Sequence, residues 1–127
     1  MIDRRTGKAI GHTSYIEIAT EHGHLEIGTW LAREAWRTGV NTECKYLLLS
    51  HAFDTLSCIR VQLKTDLRNE RAQRAIERIG AVREGVLRKV AIIKDGYQRS
   101  SVYYSILDDE WPSVKTRLET MLEAVRA

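Results

Sequence analysis

The sequence predicts one α/β domain of the α+β type, in which helices cover both faces of a mixed, mostly antiparallel sheet. Alternating apolar and polar residues predict two hairpins, one in each half of the chain. Three other segments carry apolar residues at helical spacing. One of them joins two alternating segments at the length of a crossover, which predicts one parallel strand pair within the sheet. The predicted order over residues 1–127 is β-β-α-β-α-β-β-α.

The first predicted strand covers residues 9–20, and a turn at residues 21–23 leads into a second strand over residues 24–31. Glycine at position 28 predicts a bulge or a close backbone approach there. A helix over residues 42–56 follows, with Thr42 as its expected N-cap. The remaining predicted elements follow in order: a strand at 58–63, a helix at 70–79 closed by Gly80, a short extended segment at 81–85, a hairpin of residues 86–94 and 97–107 around Asp95-Gly96, and a last helix capped by Asp108 or Asp109.

Composition excludes several classes of protein. The apolar runs are too short to cross a bilayer, and the amino terminus lacks a signal-peptide pattern, so we expect a cytosolic protein without membrane spans. The chain holds 2 cysteines and no C-x-x-C or Cys/His cluster, so no metal site is predicted. The net charge of +3 is small and spread along the chain.

A basic helix face is the best candidate for nucleic-acid binding. Arginines recur at helical spacing at positions 68, 71, 74 and 78, but Glu70 and Glu77 interrupt the charge. A solvated helix face is therefore favoured, and RNA binding is retained as an alternative.

The segment W-R-T-G-V-N-T-E-C, residues 36–44, lies between a predicted strand and a predicted helix. The first turn of a helix leaves N–H groups without partners, and the helix dipole makes this end partly positive. A strand, a glycine-containing loop and a helix start therefore predict an anion-binding site, to which Arg37 would add a guanidinium. The alternative is that Gly39 only turns the chain.

Several ordered motifs together resemble the GNAT superfamily of acyl-CoA-dependent N-acyltransferases, within it the RimJ/RimL-like branch that acetylates ribosomal-protein N-termini. The motifs are G-K-A-I-G-H, L-E-I-G-T-W-L, W-R-T-G-V-N-T-E-C, L-R-N-E-R-A-Q-R-A-I-E-R-I-G-A-V-R-E-G-V-L-R and K-D-G-Y-Q-R-S-S-V-Y-Y-S-I-L. The resemblance covers residues 6–107, and it depends on their order and spacing rather than on any one motif.

The resemblance implies acetyl-CoA as co-substrate and a set of residues that would hold it. The loop and helix start would bind the pyrophosphate, the strand before them would contact the pantetheine arm, and the asparagine opening the second helix would contact the arm or a water. The residues at these positions are Arg37, Thr38, Gly39, Val40, Asn41 and Thr42 for the pyrophosphate, Trp30 and Leu31 for the arm, and Asn69.

The resemblance also implies direct attack of a neutral amine on the acetyl thioester, with a carboxylate removing the proton. Glu26 stands where relatives often carry that base; the alternative is a surface carboxylate. Tyr103 is a candidate acid or acceptor-pocket residue, and packing within the hairpin is its alternative role, as it is for Tyr104. Relatives often carry serine three residues after the asparagine, where this chain has Ala72.

Two departures from the family pattern stand out. Trp36 and Asn41 occupy the outer positions of the phosphate-loop pattern. Relatives begin with a strand and one or two helices that wall the acceptor site, and these elements are missing ahead of the first strand predicted here. We therefore expect a fragment, a neighbouring subunit that supplies the wall, or an unusually open acceptor site, and an exposed sheet edge would favour a homodimer. The implied acceptor is a primary amine, with a protein N-terminus leading and a polyamine or antibiotic amine possible. A catalytically degenerate acyl-CoA-binding or oligomerisation module is the alternative function.

Overall fold

A computed structural model describes residues 1–36 and 38–126. The elements follow the predicted order: β1 Gly11–Ala19, β2 His24–Leu31, α1 Val40–Ser50, β3 Arg60–Asp66, α2 Glu70–Arg78, β4 Val82–Ile92, β5 Gln98–Leu107 and α3 Trp111–Arg126. Short 3-10 turns precede β2 and follow it, and a π-helical turn, His51–Thr55, extends α1.

The five strands form one sheet in the order β1-β2-β3-β5-β4. Three of the four neighbouring pairs are antiparallel, and β2 and β3 are parallel. The predicted crossover through α1 and the predicted mixed, mostly antiparallel sheet are both confirmed.

The core lies on one face of this sheet. Alternate strand residues such as Ile27, Leu63 and Tyr104 form it together with Leu49 of α1 and Leu118 of α3. Helix α2 packs on the same face, since Ile76 and Ile79 join the same cluster. The prediction of helices on both faces was therefore wrong in this respect. Periodicity shows that a helix has an apolar side, but it does not show which face of the sheet covers that side.

Element boundaries also differ from those predicted. Gly39 occupies the N-cap position of α1 with a left-handed φ of 87°, so the helix begins two residues before Thr42. The prediction of Thr42 as the N-cap was wrong, and this residue is buried within the first turn. In the second hairpin, β4 is continuous across the expected break, because bulges near Gly85 and after Leu87 absorb the irregularity.

Candidate active site

The central feature of the site is a gap in the sheet. The parallel ladder joins β2 and β3 only as far as the pair Glu26 and Gln62. Both strands continue beyond that pair, β2 to Leu31 and β3 to Asp66. They diverge there, and a cleft of about 330 Å³ opens between them with α1 and α2 on its flanks.

The charge of this cleft is one-sided. Among the described residues that line it are three cations, Lys45, Lys64 and Arg71, and no carboxylate. Apolar side chains such as Ile27 and Leu63 form much of the rest of the wall. A cleft with apolar walls and basic groups suits a ligand that has a long uncharged arm and an anionic end.

The amino terminus of α1 adds an electropositive end to the cleft. Gly39 has no side chain with which to cap the helix, so first-turn N–H groups are left for another acceptor. Asn41, in that turn, lines the cleft. Arg37, the predicted guanidinium of this site, lies outside the described residues.

The structure separates the residues expected to hold the co-substrate into two groups. Trp30, Leu31, Asn41 and Asn69 line the cleft. Thr38 and Val40 instead border a neighbouring depression against the amino-terminal segment. Met1, Ile10, Ala35 and Leu47 are among the other residues that line this depression. The Thr38 hydroxyl donates to the Ala35 carbonyl at 2.6 Å, and the side chain of Thr42 is buried.

Gly39 has a packing role that the sequence did not indicate. A Cβ at this position would lie 2.8 Å from Cγ1 of Val125 on α3. The left-handed φ also disfavours other residues. Glycine here lets the loop turn and lets α3 pack directly against it.

Trp36 and Arg71 meet beside the cleft. The Arg71 guanidinium lies 3.4 Å from the centre of the Trp36 ring, and the indole N–H donates to the Leu31 carbonyl at 3.1 Å. This stack connects the loop after β2 to α2. Asn69 fixes the start of α2, because its Oδ1 accepts the Ala72 N–H at 3.0 Å.

Lys45 is a cleft residue that the sequence reasoning missed. Its residue exposure is 5%, and its Nζ donates to Thr29 Oγ1 at 2.7 Å and to Asn41 Oδ1 at 3.0 Å. Burial lowers the pKa of this amine to about 8. The only sequence signal is a lysine immediately before an apolar run in a helix. Most lysines in such a context are exposed to solvent, so this signal does not indicate a buried amine.

A second pocket, of about 490 Å³, lies on the opposite face of the sheet. Among the described residues, two carboxylates line it, those of Glu17 and Glu26, and Glu26 is 2% exposed. The Gln62 side-chain amide donates to Glu26 Oε1 at 2.7 Å, and Lys64 Nζ lies 3.7 Å from Glu26 Oε2. Tyr103 lines the same pocket, with its ring centre 5.8 Å from Lys64 Nζ. The structure therefore brings the two predicted catalytic residues together.

Lys64 lines both the cleft and this second pocket. The two spaces thus share a wall residue near the point where β2 and β3 begin to diverge, next to Glu26. Such an arrangement suits transfer between two ligands that enter from opposite sides.

Other candidates take structural roles. Tyr104 points into the core, where burial raises its pKa to about 12 and its hydroxyl donates to Glu77 at 2.6 Å. Ala72 lines the cleft and offers no hydroxyl there. Arg68 binds Asp66 and stacks on Tyr97, at 3.5 Å from the ring centre, so part of the basic face is engaged within the chain.

Within the described part of the chain, no group of three or more His, Cys, Asp or Glu residues is placed to hold a metal ion. No helix in residues 1–36 and 38–126 is long and apolar enough to cross a membrane.

This fold and its divergent strand pair define the class of the protein. Residues 1–82 match the sequence profile described as an acetyltransferase (GNAT) domain. The chain belongs to the GNAT acetyltransferase domain family, as the motifs indicated.

Individual relatives agree with this assignment. The chain is 32% identical over 109 residues to YdaF of Bacillus subtilis (strain 168), named as a candidate ribosomal N-acetyltransferase, covering 86% of this chain and 59% of YdaF. It is similar to the crystal structure of a candidate acetyltransferase from T. thermophilus, with 55% identity, a TM-score of 0.87, and coverage of 89% of this chain and 60% of that chain. A spermidine N-acetyltransferase from Vibrio cholerae, SpeG, is 25% identical with a TM-score of 0.77, covering 87% of this chain and 64% of that one. The chain thus spans about six tenths of the length of these relatives.

Proposed function

We propose that this chain carries an acetyl-CoA-dependent N-acetyltransferase activity that acts on a primary amine. The observation that carries the proposal is a pair of unlike spaces on opposite faces of the sheet, both lined by Lys64. The cleft on one side has cations and no described carboxylate, and the pocket on the other side holds the buried carboxylate of Glu26. Their charges complement an anionic co-substrate and a cationic acceptor.

The residues present fit acetyl-CoA. Trp30 and Leu31 would lie along the pantetheine arm, where β2 has left the β3 ladder. The start of α1, with Gly39 and Asn41, would receive a phosphate at its N–H groups. Thr38, Val40 and Thr42 would act there through backbone groups, since their side chains lie elsewhere or are buried. When bound, acetyl-CoA supplies the activated acetyl group as a thioester.

Glu26 is proposed as the general base. It takes a proton from the acceptor ammonium, directly or through one water, and the neutral amine can then attack the acetyl carbon. The hydrogen bond from Gln62 and the nearby Lys64 fix the position of the carboxylate. As the C–N bond forms and the C–S bond breaks, the thiolate leaves, and the second proton of the amine passes by way of the Tyr103 hydroxyl to the thiolate sulfur, which departs as the thiol.

Tyr103 is proposed to line the acceptor pocket and to donate a proton to the departing thiolate. Its hydroxyl is the candidate donor because Ala72 offers none from α2. Its place in the pocket that contains Glu26 supports the acceptor-wall role.

We favour a protein N-terminus as the acceptor, because the name of YdaF points to ribosomal N-acetylation. A polyamine is the second candidate, because the pocket contains Glu17 as well as Glu26 and because SpeG is a spermidine N-acetyltransferase. Homodimer formation is tested separately by the mass of the protein in solution.

Mass spectrometry of reaction products tests the proposal. The purified chain is incubated with acetyl-CoA and either a peptide that begins with a free Ala or Ser, or spermidine. We expect acetylation of the peptide α-amine, with a lower rate on spermidine. Acetylation of spermidine alone would show that a polyamine, rather than a protein N-terminus, is the preferred acceptor. Binding of acetyl-CoA without transfer to any amine would favour the alternative, a catalytically degenerate acyl-CoA-binding module.

A further inference from the structure

Lys45 is a buried cation, and among the described residues no carboxylate forms an ion pair with it. Its three N–H bonds have two recorded acceptors, Thr29 Oγ1 and Asn41 Oδ1, and both are neutral. Burying an ammonium without an opposite charge is costly, and structures normally pair such a group. A cation kept in this position suggests a ligand that supplies the missing negative charge.

The position of Lys45 identifies the ligand chemistry. Its side chain lines the cleft, and Asn41 connects it to the first turn of α1. An anion bound at that helix terminus would lie close to the ammonium. The other charged groups on the cleft wall, Lys64 of β3 and Arg71 of α2, are cations, and Lys45 has the thiol of Cys44 as its titratable neighbour on α1.

We propose that Lys45 is a binding residue for the phosphate-bearing part of the co-substrate, and that its ammonium pairs with a phosphate oxygen at the start of α1. The inference rests on the proposed use of acyl-CoA in this cleft. Thr29 and Asn41 hold the amine in position before the ligand arrives, which reduces the entropy lost on binding.

Binding of a phosphate beside Lys45 should change the number of protons that the protein holds. The phosphate brings negative charge to an amine whose pKa is lowered to about 8 in the free protein, so binding raises that pKa. At pH 8.5 part of the Lys45 population is neutral, and acetyl-CoA binding then takes up a fraction of a proton. Lys64 and Arg71 line the cleft as cations, and Cys44 is the remaining titratable group beside the amine.

Calorimetry with two ligands tests the assignment. Acetyl-CoA carries the phosphates, whereas S-acetylpantetheine has the same arm without them. At pH 7 the Lys45→Met variant should bind acetyl-CoA at least roughly tenfold more weakly, the size expected for one charge-assisted hydrogen bond. Its affinity for S-acetylpantetheine should stay within about twofold of the parent value. Methionine removes a buried charge at similar volume, so the variant should fold.

Proton uptake gives a second readout on the parent chain. Titrations at pH 8.5 in two buffers of different ionisation enthalpy should show uptake on binding acetyl-CoA, and Lys45→Met should abolish it. Equal losses for both ligands, or an unchanged affinity for acetyl-CoA, would overturn the assignment of Lys45. Binding by the parent chain without acetyl transfer would overturn the acetyltransferase proposal alone. No binding of acetyl-CoA by the parent chain would overturn both.

Discussion

Glu26 and Gln62 form the last residue pair of the parallel ladder, and their side chains are joined by a 2.7 Å hydrogen bond. The point at which the strands begin to diverge is therefore also the point at which the candidate base is held. The backbone geometry that opens the cleft on one face thus lies next to a buried carboxylate on the opposite face of the sheet. Substitution of Glu26 should therefore affect the chemical step without affecting the binding of the co-substrate.

Glu26→Gln should lower kcat by roughly 10²–10⁴-fold, the usual contribution of a general base, because glutamine cannot accept the ammonium proton. The affinity for acetyl-CoA should remain within about twofold, since Glu26 lies on the opposite face of the sheet. Steady-state kinetics and calorimetry measure the two effects.

Glu77→Gln is the matched control. Glu77 of α2 accepts a hydrogen bond from the Tyr104 hydroxyl at 2.6 Å and does not line the pocket that holds Glu26. This variant should retain kcat even if some stability is lost. A normal kcat in Glu26→Gln, or equal losses in both variants, would contradict the assignment of the base.

Gly39→Ala should destabilise the chain more than Gly96→Ala. Both glycines have a left-handed φ, 87° and 81°, which costs a new side chain about 1 kcal/mol. Only at Gly39 would the new Cβ meet another side chain, Cγ1 of Val125 at 2.8 Å, whereas nothing lies within 4 Å at Gly96. The additional loss should be about 1 kcal/mol, because Val125 is partly exposed and can shift. Urea unfolding measures the difference.

Val125→Ala in the Gly39→Ala background should recover that additional part and leave the backbone strain. Equal destabilisation at Gly39 and Gly96 would show that contact with α3 contributes nothing. This packing also makes Gly39→Glu an unsuitable test of phosphate binding, since any side chain there disturbs α3.

Stability should rise with pH across the Lys45 titration. The folded-state pKa is about 8 and the unfolded value is near 10.4, so the unfolded chain binds more protons between these limits. The stability gained from pH 8 upward should be at most about 3 kcal/mol. Burial raises the pKa of Cys44, which acts in the opposite direction.

Comparison with Lys45→Met isolates the lysine contribution. The unfolding free energy of Lys45→Met minus that of the parent should decrease as the pH rises from 8 to 10. The parent gains stability over this range because it loses its buried charge. A difference that is constant with pH would contradict a lowered pKa at Lys45.

Asp66 should make the fold sensitive to acid. Hydrogen bonds from Arg68, with a further one from Arg99, hold the pKa of this carboxyl well below its usual range. The folded pKa is depressed, so the stabilisation is complete above the unfolded pKa near 3.9 and is lost as the pH falls below that value.

Asp66→Asn should remove this component of the acid transition. The parent chain should lose more stability than the variant between pH 5 and pH 2, as measured by thermal unfolding at each pH. Parallel stability curves would contradict the ion-pair assignment. Because the Asp66 carbonyl also accepts the Asn69 N–H at 2.9 Å, the same anchor positions the start of α2 at the cleft.

The sequence by itself determined the element order, the parallel pair and the glycine loop before the first helix. These depend on local signals, namely the residue period, turn chemistry and crossover length. It also indicated the family, because the order and spacing of its motifs are properties of the chain alone. Glu26 and Tyr103 were selected in the same way, although their catalytic roles are still predictions.

Only the tertiary structure decided which residues meet. The helices share one face of the sheet, Thr38 and Val40 turn away from the cleft, and Gly39 gives space to Val125. Lys45 shows the reason most clearly. Its sequence context is that of an ordinary helical lysine, and its burial against Thr29 depends on how α1 packs on β2. Contacts between residues distant in the chain arise from the packing of whole elements, which residue periodicity does not specify.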